Sequence, residues 1–503
     1  MLVGTLGPRR FRRHLASFEN VAGDVKGISL AMAITAGVIV LDVGKTVSKA
    51  TLWAPDGQLV RRLTRPNAAI QTARYRALDA AGIEEWLVDA LAQLAPVMPV
   101  SDIVPVGHGA AMALIGDRGL LIPPVDYEQA VPAEIVTAYR AQRDSFRQTG
   151  SPALPDGLNG GLQLHWLESV APEAFTAGTQ ILPWPQYWAW VLCGVAASEV
   201  SSLGCHSDLW FPWVARASSL SERRGWAANM APLRGASEAL GLLRGELARR
   251  TGLPPSTRVR CGLHDSNGAL LAARAYPELS ERESTVLSTG TWFVALRTPG
   301  SSVTANGLRE DRDCLINVDV NGRPVPSARF MGGREIEQLT SRYGIRIDDP
   351  AQQAGMVAAV PEVLAQGLMI LPSFVAGCGP FPAARGLELP DFVGITERLA
   401  ATGLYAALMA DVLLGLIDSR ERLLVEGRFA EVEVFVRALA SLRPGQAVYV
   451  ANSATDVSFG ALQLLDGSLR PPGSLRRVDP LDCDLGGLRN TWRNRAEALE
   501  RAA

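Results

Sequence analysis

Two hydrophobic runs separated by a short polar turn form the first regular stretch of the chain. Residues 38–53 read VIVLDVGKTVSKATLW, which predicts two strands joined by a turn around Gly44. Asp56-Gly57 marks a second hairpin turn. Apolar residues recur at helical spacing over 83–95, and the stretch that begins at Ser101 again has strand character. This alternation of strands and helices predicts an α/β architecture.

A second hairpin pattern lies about half a chain further on. TVLSTGTWFVALRT (285–298) has the same order of hydrophobic strand, polar turn and hydrophobic strand, with Gly290 in the turn. Gly290 lies 246 positions after Gly44. Two matching hairpins at this separation predict a duplicated fold, with two lobes and a central cleft between them.

The remaining pattern predicts further elements of both halves. Tryptophan and proline are concentrated between 165 and 213, which indicates a packed insertion whose aromatic residues are mostly core. We expect an exposed linker at 273–283, a helix that starts near Gly332-Gly333 and a long helix at 401–423. A strand–helix–strand unit and a terminal surface helix are predicted to follow.

The charge balance excludes some classes of partner. The chain has 503 residues, 48% of them apolar, and a formal net charge of −2. No global field therefore attracts nucleic acid or an acidic membrane, and we expect neither as a partner. The six cysteines are scattered without a C-x-x-C pair, which argues against a zinc site and a disulfide framework. A reducing, cytoplasmic location is the expectation.

Residues 1–35 can be interpreted in two ways. Arginines followed by an apolar run imitate a signal peptide, but Glu19, Asp24 and Lys26 lie between the two features. We favour a disordered or artefactual N-terminal extension, with Met32 as the true start. No later segment has the roughly 20 uninterrupted apolar residues of a membrane span.

The turn Gly44-Lys45-Thr46 suggests phosphate binding, but it is not a P-loop. A P-loop needs another glycine five positions before Gly44 and a helix after the threonine, whereas Ile39 and strand-like residues stand there. A hairpin can still hold phosphate through turn N–H groups and the hydroxyls of Thr46 and Ser48. Asp42 can hold hydrated Mg²⁺. The alternative is an ordinary tight turn with an exposed acid and lysine.

Asp265 stands where α/β sheets present their ligands. The stretch VRCGLHDSNGALLAARA (259–275) predicts a strand, then Asp265, then a helix of small residues. The simpler interpretation is that Asp265 or Ser266 only caps that helix. Because the second hairpin follows soon after, we predict instead that Asp265 lies beside the cleft and faces phosphates held by both turns.

These segments together resemble a known family. DVGKTVSK, GLHDSN and STGTW, in this order and spacing, are similar to motifs of the FGGY carbohydrate kinases of the actin/hexokinase/heat-shock ATPase superfamily. The resemblance covers about 36–470. Within the family, VGHG, PPVDYEQ, PWPQYWAW, EVSSLGCHSDLW and FMGGREIE look most like the bacterial rhamnulokinase-like branch. The resemblance to this family implies a two-lobed, duplicated, actin-like (ribonuclease H-like) ATPase fold.

The resemblance also implies how the nucleotide is bound, with ATP and Mg²⁺ as cofactors. Asp265 would be the catalytic base and Asp42 the magnesium anchor. The residues implied for phosphate and adenosine binding are Gly44, Lys45, Thr46, Ser48, Gly290, Thr291, Asn317, Gly332, Gly333 and Gly427. The family's glycine-rich adenine loop is replaced here by VEGRFAEVE, so the adenosine contacts depart from the family pattern.

Sugar contacts are expected from the first lobe. Gly107 and His108 stand where related kinases often have G-Q-G, and His264, Asp265 and Ser266 lie beside the proposed base. Asp126 is a candidate for the acid of the family's W-x-D-x-R motif, although the tryptophan and the arginine are missing. His206 and Trp210 are weaker candidates. A buried histidine is often a satisfied structural group, and this alternative stays open for His108 and His264.

The resulting functional hypothesis is a sugar kinase. We expect transfer of the γ-phosphate of ATP to a ketose, such as L-rhamnulose or L-fuculose, giving the 1-phosphate. The alternatives are a kinase of another ketose or polyol (xylulose, ribulose or glycerol type), a heat-shock-type or actin-like ATPase, and a weakly active sugar sensor. The expected domains are a sugar-binding lobe at 36–275 and an adenosine-binding lobe at 276–503. A homodimer is the candidate assembly.

Overall fold

The chain is described by a computed structural model that covers residues 35–280, 282–298, 307–391, 393–451 and 456–503. All but the last residue of the predicted N-terminal extension lies outside the described residues. The division of the chain at 275/276 stays a prediction.

Twenty-one strands are found in the described residues. They are β1 Gly37–Val43, β2 Val47–Trp53, β3 Leu59–Pro66, β4 Ala69–Gln71, β5 Arg76–Leu78, β6 Val100–Gly107, β7 Met112–Gly116, β8 Gly119–Ile122, β9 Gln180–Pro183, β10 Trp210–Phe211, β11 Arg216–Ala217, β12 Ala239–Leu242, β13 Arg258–Arg260, β14 Leu263–His264, β15 Ser284–Thr289, β16 Phe293–Thr298, β17 Cys314–Val318, β18 Pro324–Phe330, β19 Arg422–Gly427, β20 Ala447–Ala451 and β21 Leu475–Arg477.

Seventeen α-helices accompany these strands over the same described ranges. They are α1 Ala80–Leu94, α2 Ala133–Arg140, α3 Phe146–Thr149, α4 Gly160–Val170, α5 Trp184–Cys193, α6 Val200–Leu203, α7 Ser219–Arg223, α8 Trp226–Asn229, α9 Gly245–Thr251, α10 Asp265–Arg274, α11 Pro277–Ser280, α12 Gly332–Thr340, α13 Pro350–Ala365, α14 Ile395–Leu416, α15 Glu433–Leu442, α16 Val457–Leu462 and α17 Gly486–Ala502.

The two large sheets repeat one topology. The first has the order β12-β13-β6-β1-β2-β3, and β14 also pairs with β6. The second has the order β17-β18-β16-β15-β19-β20-β21. In each, an antiparallel hairpin (β1–β2 or β15–β16) has two further strands parallel to its first strand, β6 and β13 or β19 and β20. The duplicated, two-lobed fold predicted from the hairpins is therefore confirmed.

Helices α10 and α16 cross at the junction of the two halves. A side chain at Gly460 would place its Cβ only 1.8 Å from the carbonyl oxygen of Gly268, so the two helices approach closely enough to require glycine. Phe459, Ala461 and Leu462 of α16 pack into the core beneath the first sheet. A segment from the far end of the sequence thus completes the core of the first lobe.

Helix α14 lies in the core of the second lobe. Among the described residues it is the one helix long and apolar enough to cross a membrane, and 89% of its apolar window is buried. Burial inside the protein accounts for its composition, because a helix that is hydrophobic all round must be covered on every side.

Three predicted elements differ from the structure. The long helix spans 395–416 rather than 401–423, because Arg422 already begins β19. The described residues of the predicted linker at 273–283 are structured, with Tyr276 and Leu279 buried against the second sheet. The terminal helix α17 is not only a surface helix, because Trp492 is 1% exposed and its Nε1 donates to the carbonyl of Ile370 at 2.7 Å.

Candidate active site

Three parallel strands of the first sheet end side by side. Val43 of β1 pairs with Gly107 of β6, and Gly107 pairs with His264 of β14. The carboxyl ends of parallel strands share one edge of a sheet, which is where α/β proteins place ligands. Asp42, His108 and Asp265 therefore converge at this edge, although they are far apart in sequence.

Asp265 begins helix α10 directly after β14. Its Oδ1 accepts the backbone N–H of Ser266 at 2.6 Å, and its side chain is 33% exposed. Burial raises the pKa of this carboxyl, while nearby His108, the bonds from Ser266 and the charge of Lys49 oppose the rise. A carboxylate at a helix start, fixed by one oxygen and partly open to the cleft, can accept a proton from a bound hydroxyl.

Asp42, the sixth residue of β1, is 5% exposed. Burial raises the pKa of its carboxyl, Lys49 lowers it, and the negative charges of Asp265 and Asp456 raise it further. The negative charge of Asp265 therefore acts on Asp42 at this edge of the sheet. Lys49, whose Nζ lies 3.0 Å from Asp42 Oδ2, is a site residue that the sequence analysis missed.

The Gly44-Lys45-Thr46 turn is held by the side chain of Asn67. Asn67 Nδ2 donates to the Gly44 carbonyl at 2.8 Å, and its backbone N–H donates to the Thr46 carbonyl at 2.8 Å. Ser48 is buried and its hydroxyl bonds to Asn67 Oδ1 at 3.1 Å. Thr46 is exposed at the tip of the turn. The structure thus gives Ser48 a role in shaping the turn and leaves Thr46 open to solvent.

Lys45 extends away from the turn towards a buried acid. Its Nζ lies 2.9 Å from Oδ2 of Asp126, which is fully buried, and Arg76 Nε contacts the same oxygen at 2.8 Å. Glu128 N–H donates to Asp126 Oδ1 at 3.0 Å. Asp126 is therefore saturated by protein partners, and Arg76 of β5 supplies an arginine partner that the local motif lacks.

Two buried histidines line the same edge. His108 Nδ1 contacts the Gly109 carbonyl at 2.7 Å, whereas its Nε2 is buried and has no partner among the described residues. His264 Nδ1 accepts the N–H of Ser266 at 3.2 Å. Burial lowers the pKa of both rings, that of His264 to about 4, so both are neutral near pH 7. His108 retains an unused nitrogen that can bond to a ligand.

The second lobe has a corresponding turn between β15 and β16, and further glycines lie close to it. Gly290 and Thr291, both exposed, lie between β15 and β16. A Cβ at Gly333, in the first turn of α12, would lie 2.0 Å from the Gly290 carbonyl oxygen, and Gly332 packs on Phe293. Gly427 has φ +87° and pairs with Thr289 in the neighbouring strand. The structure therefore brings Gly290, Thr291, Gly332, Gly333 and Gly427 to one end of this sheet.

Asn317 lies elsewhere. It pairs with Val325 near the start of β18, whereas the Gly290 turn lies at the opposite end of the sheet, where Phe330 pairs with Phe293. Five residues of strand separate these ends, which is roughly 17 Å. Next to Asn317, the N–H of Ile316 donates to the Gly150 carbonyl of the first lobe at 2.7 Å. This placement gives no support to an adenosine contact by Asn317.

The two weaker sugar candidates, His206 and Trp210, are engaged with other groups of the protein. His206 Nδ1 contacts the Leu158 carbonyl at 2.8 Å, and burial lowers the pKa of the ring to about 3. Trp210 is buried in a small cluster with Leu203 and Val318. Within the described residues, no group of three or more histidine, cysteine, aspartate or glutamate side chains is arranged to hold a metal ion.

Comparison with known proteins agrees with this architecture. The family described as carbohydrate kinase FGGY, C-terminal domain, matches residues 281–472. The crystal structure of a carbohydrate kinase from Novosphingobium aromaticivorans is 54% identical in sequence and has a TM-score of 0.88; the match covers 91% of this chain and all of that one. No curated protein sequence matches the chain.

More distant structures share the fold. Ligand-bound xylulose kinase from Lactobacillus acidophilus has a TM-score of 0.76 at 13% identity, covering 93% of this chain and 98% of that chain. Plasmodium falciparum glycerol kinase with ADP has a TM-score of 0.74 at 13% identity, covering 92% and 98%. The fold is the two-lobed actin-like ATPase fold. The chain belongs to the FGGY carbohydrate kinase family, whose members transfer a phosphoryl group from ATP to an alcohol group of a sugar or polyol.

Proposed function

We propose that this kinase phosphorylates a 6-deoxy-ketohexose, such as L-rhamnulose or L-fuculose, at its primary hydroxyl to give the 1-phosphate. The observation that carries the proposal is the position of Asp265, beside Asp42 at the edge of the first sheet and next to His108 and His264. The resemblance of PWPQYWAW and FMGGREIE to the rhamnulokinase-like branch supports the choice of sugar.

Asp265 is the proposed base. It would accept the proton of the sugar hydroxyl and orient the oxygen towards the γ-phosphorus. A carboxylate suits this task because the phosphoryl-transfer transition state is loose and depends mainly on positioning and electrostatics. The N–H of Ser266 fixes one carboxylate oxygen, which leaves the other for the substrate.

Asp42 is the proposed magnesium anchor, and its surroundings fit that ion. Mg²⁺ prefers oxygen donors and uses few protein carboxylates, keeping water and phosphate as its other ligands. Asp42 is buried, and the negative charge of Asp265 raises its pKa further, a repulsion that a divalent cation relieves. When bound, the ion would offset the negative charge of the phosphates. Lys49 would position Asp42 from the neighbouring strand.

Backbone N–H groups of Lys45 and Thr46 on one lobe and of Thr291 on the other are the proposed phosphate cradle. The N–H groups of Gly44 and Gly290 close the two turns, donating to the carbonyls of Val47 at 3.2 Å and Trp292 at 3.0 Å. The adenosine would lie near Gly332-Gly333 and Gly427, whose lack of side chains lets Phe293, the Gly290 turn and Thr289 pack closely against them. The unpartnered Nε2 of His108 is the proposed sugar contact, because an unsatisfied buried nitrogen gains most from a ligand hydroxyl.

A xylulose, ribulose or glycerol type of substrate is the alternative, and it is supported by the xylulose, gluconate and glycerol kinases among the proteins that share the fold. The test is ADP release from the purified enzyme with ATP and Mg²⁺ against a panel of ketoses, aldoses and polyols. L-Rhamnulose or L-fuculose should give the highest kcat/KM. Higher kcat/KM with a pentulose or a polyol would overturn the choice of sugar but retain the kinase.

Location and assembly also stay proposals. We propose a cytoplasmic enzyme, which the six cysteines support because none of them forms a disulfide. A homodimer is tested by light scattering at several protein concentrations, and a constant monomer mass would exclude it.

A further inference from the structure

One arginine of the second sheet lies near the Gly290 turn, on the face of the sheet that is directed at the first lobe. Arg329 of β18 pairs with Val294, Val294 pairs with Ser288, and Ser288 pairs with Glu426, so these four form one row across the sheet. Their neighbours Ala328 and Phe330 belong to the core on the other face. Because side chains alternate along a strand, Arg329 projects to the face that packs against α10.

The guanidinium of Arg329 is held in a fixed orientation. Its Nε lies 3.0 Å from Asp313 Oδ1, and Asp313 Oδ2 accepts the N–H of Gly379 at 3.2 Å. The guanidinium also lies over the ring of Trp292, 4.8 Å from its centroid, in the turn that carries Gly290. The terminal amino groups of Arg329 make no hydrogen bond to a residue in the described ranges. A preorganised donor pair is thus left unused.

Arg329 and Asp265 approach the same segment of the first lobe. Burial and Asp265 raise the pKa of the Cys205 thiol, and Arg329 lowers it. Burial lowers the pKa of His206, and Arg329 and His264 lower it further. Cys205 Sγ and His264 Nε2 both lie against Gly109, 3.2 and 2.7 Å from where its Cβ would be. The charges of Arg329, from one lobe, and of Asp265, the proposed base of the other, thus both act on Cys205, which lies beside His264.

We propose that Arg329 binds the phosphoryl group while it is transferred, as the cation that the second lobe contributes to the reaction. In that step the sugar oxygen forms a bond to the γ-phosphorus, the bond from that phosphorus to the bridging oxygen breaks, and its electron pair leaves with ADP. The hydroxyl proton goes to Asp265. This inference rests on the proposed function, because the role of Asp265 as the base defines the side from which the sugar oxygen approaches the phosphorus.

A guanidinium suits this task because its planar fork donates two hydrogen bonds to neighbouring phosphoryl oxygens. The competing explanation is that Arg329 only ties Asp313 to Trp292. The two explanations differ in which ligand loses affinity when the side chain is changed. If Arg329 contacts the phosphoryl group, its replacement weakens binding of the ligand that carries that group and does not weaken binding of ADP by itself. If Arg329 is only a structural tie, its replacement lowers the stability of the protein and weakens binding of both ligands equally.

The test compares Arg329→Gln, Arg329→Lys and the matched control Arg477→Gln, which changes an exposed arginine of β21. Calorimetry measures the binding of ADP with Mg²⁺, alone and with aluminium fluoride, which mimics the transferred phosphoryl group. Arg329→Gln should weaken binding of the aluminium fluoride complex about 10- to 100-fold, as expected for charged hydrogen bonds, and leave ADP binding within about twofold. Arg329→Lys should retain part of the affinity, and Arg477→Gln should equal wild type.

Equal affinity of wild type and Arg329→Gln for the aluminium fluoride complex would overturn the proposal. So would a parallel loss of both ligands with a lower melting temperature. If Arg329→Gln does not fold, Asp313→Asn serves instead, and should give a smaller loss that is again confined to the aluminium fluoride complex. The role of Asp265 is tested separately, because the binding assay does not depend on proton transfer. Normal turnover by Asp265→Asn would refute Asp265 as the base and would leave the result for Arg329 unchanged.

Discussion

Asp42 and Lys49 are direct partners across the first hairpin, and their side chains form an ion pair with Nζ 3.0 Å from Oδ2. The pair lies at the edge of the sheet from which Asp265 also projects. Lys49 lowers the pKa of both carboxyls. It thus opposes the effect of burial, which favours the protonated form of both carboxyls.

Replacing Lys49 by methionine should remove this effect. Loss of the positive charge raises the pKa of Asp265, so the acidic limb of the pH profile of kcat/KM should move to higher pH. The plateau should fall at least about tenfold, since a charged hydrogen bond to Asp42 is lost. Lys49→Arg keeps the charge and should stay near the wild-type profile. An unmoved acidic limb in Lys49→Met would contradict this role.

The buried and the exposed acid beside Lys45 offer a matched comparison. Asp126 and Glu128 contact the same two cations, Lys45 and Arg76, but the Asp126 side chain is fully buried and that of Glu128 is 54% exposed. Asp126→Ala should lower the free energy of unfolding by about 3 kcal/mol, because it removes the buried partner of Lys45, whose side chain is 12% exposed, and leaves it only the exposed Glu128. Glu128→Ala should cost no more than about 1 kcal/mol.

Urea unfolding measures both changes. Sugar KM decides whether Asp126 also contacts the substrate. A stable Asp126→Asn variant with an unchanged KM for ATP and a strongly raised KM for sugar would favour the ligand role over the structural one.

The crossing of α10 and α16 should not tolerate a methyl group. Gly460→Ala would bring a Cβ against the Gly268 carbonyl and should lower the free energy of unfolding by about 1–3 kcal/mol. Gly415→Ala in α14 is the control, since no atom lies within 4 Å of its Cβ position. It should be neutral or stabilising by up to about 1 kcal/mol. Equal melting temperatures for the two variants would refute the close approach.

Glu426 predicts a dependence of stability on pH. It is 8% exposed, its Oε2 has no partner among the described residues, and burial raises its pKa from 4.5 to about 6. Because the folded protein binds this proton more tightly, the associated stability is present below pH 4.5 and is lost as the pH rises through about 6. The free energy of unfolding of Glu426→Gln should therefore rise relative to that of wild type over this pH interval, by up to about 2 kcal/mol.

Melting temperatures measured from pH 4 to 8 test this prediction. The exposed neighbour Glu431 provides the control variant, Glu431→Gln. A constant difference between Glu426→Gln and wild type across the range would show that Glu426 does not titrate as described.

The sequence analysis predicted the duplicated hairpins because each is local, with both strands and the turn within about 20 residues. The helix that starts at Asp265 and the strand–helix–strand unit ending at Ala451 were confirmed for the same reason. Lys49 was missed because its pairing with Asp42 depends on the register of the hairpin. Arg76 was missed because its partner Asp126 is 50 residues away and meets it only in the folded chain.

Asn317 shows that the order of motifs along the sequence does not by itself predict which residues lie close together in the fold. It precedes Gly332 by 15 residues, which suggests proximity, yet it lies on the edge strand β17, where its Nδ2 donates to Ser327 Oγ at 3.0 Å and the N–H of the adjacent Ile316 donates to Gly150 of the first lobe. The segment around Phe459 was assigned to the second lobe by its position in the sequence, whereas it packs beneath the first sheet. Long-range pairings of this kind leave no local pattern in the residues themselves.

The central claim is that Asp265 receives the proton of the sugar hydroxyl, and the single-turnover rate of Asp265→Asn tests it most directly. The amide keeps the size and the bond from Ser266 but cannot take up the proton. With ATP, Mg²⁺ and the best sugar of the panel, the rate should fall by about 10²-fold or more, with ATP affinity within about twofold. A variant that transfers phosphate at nearly the wild-type rate would contradict the account.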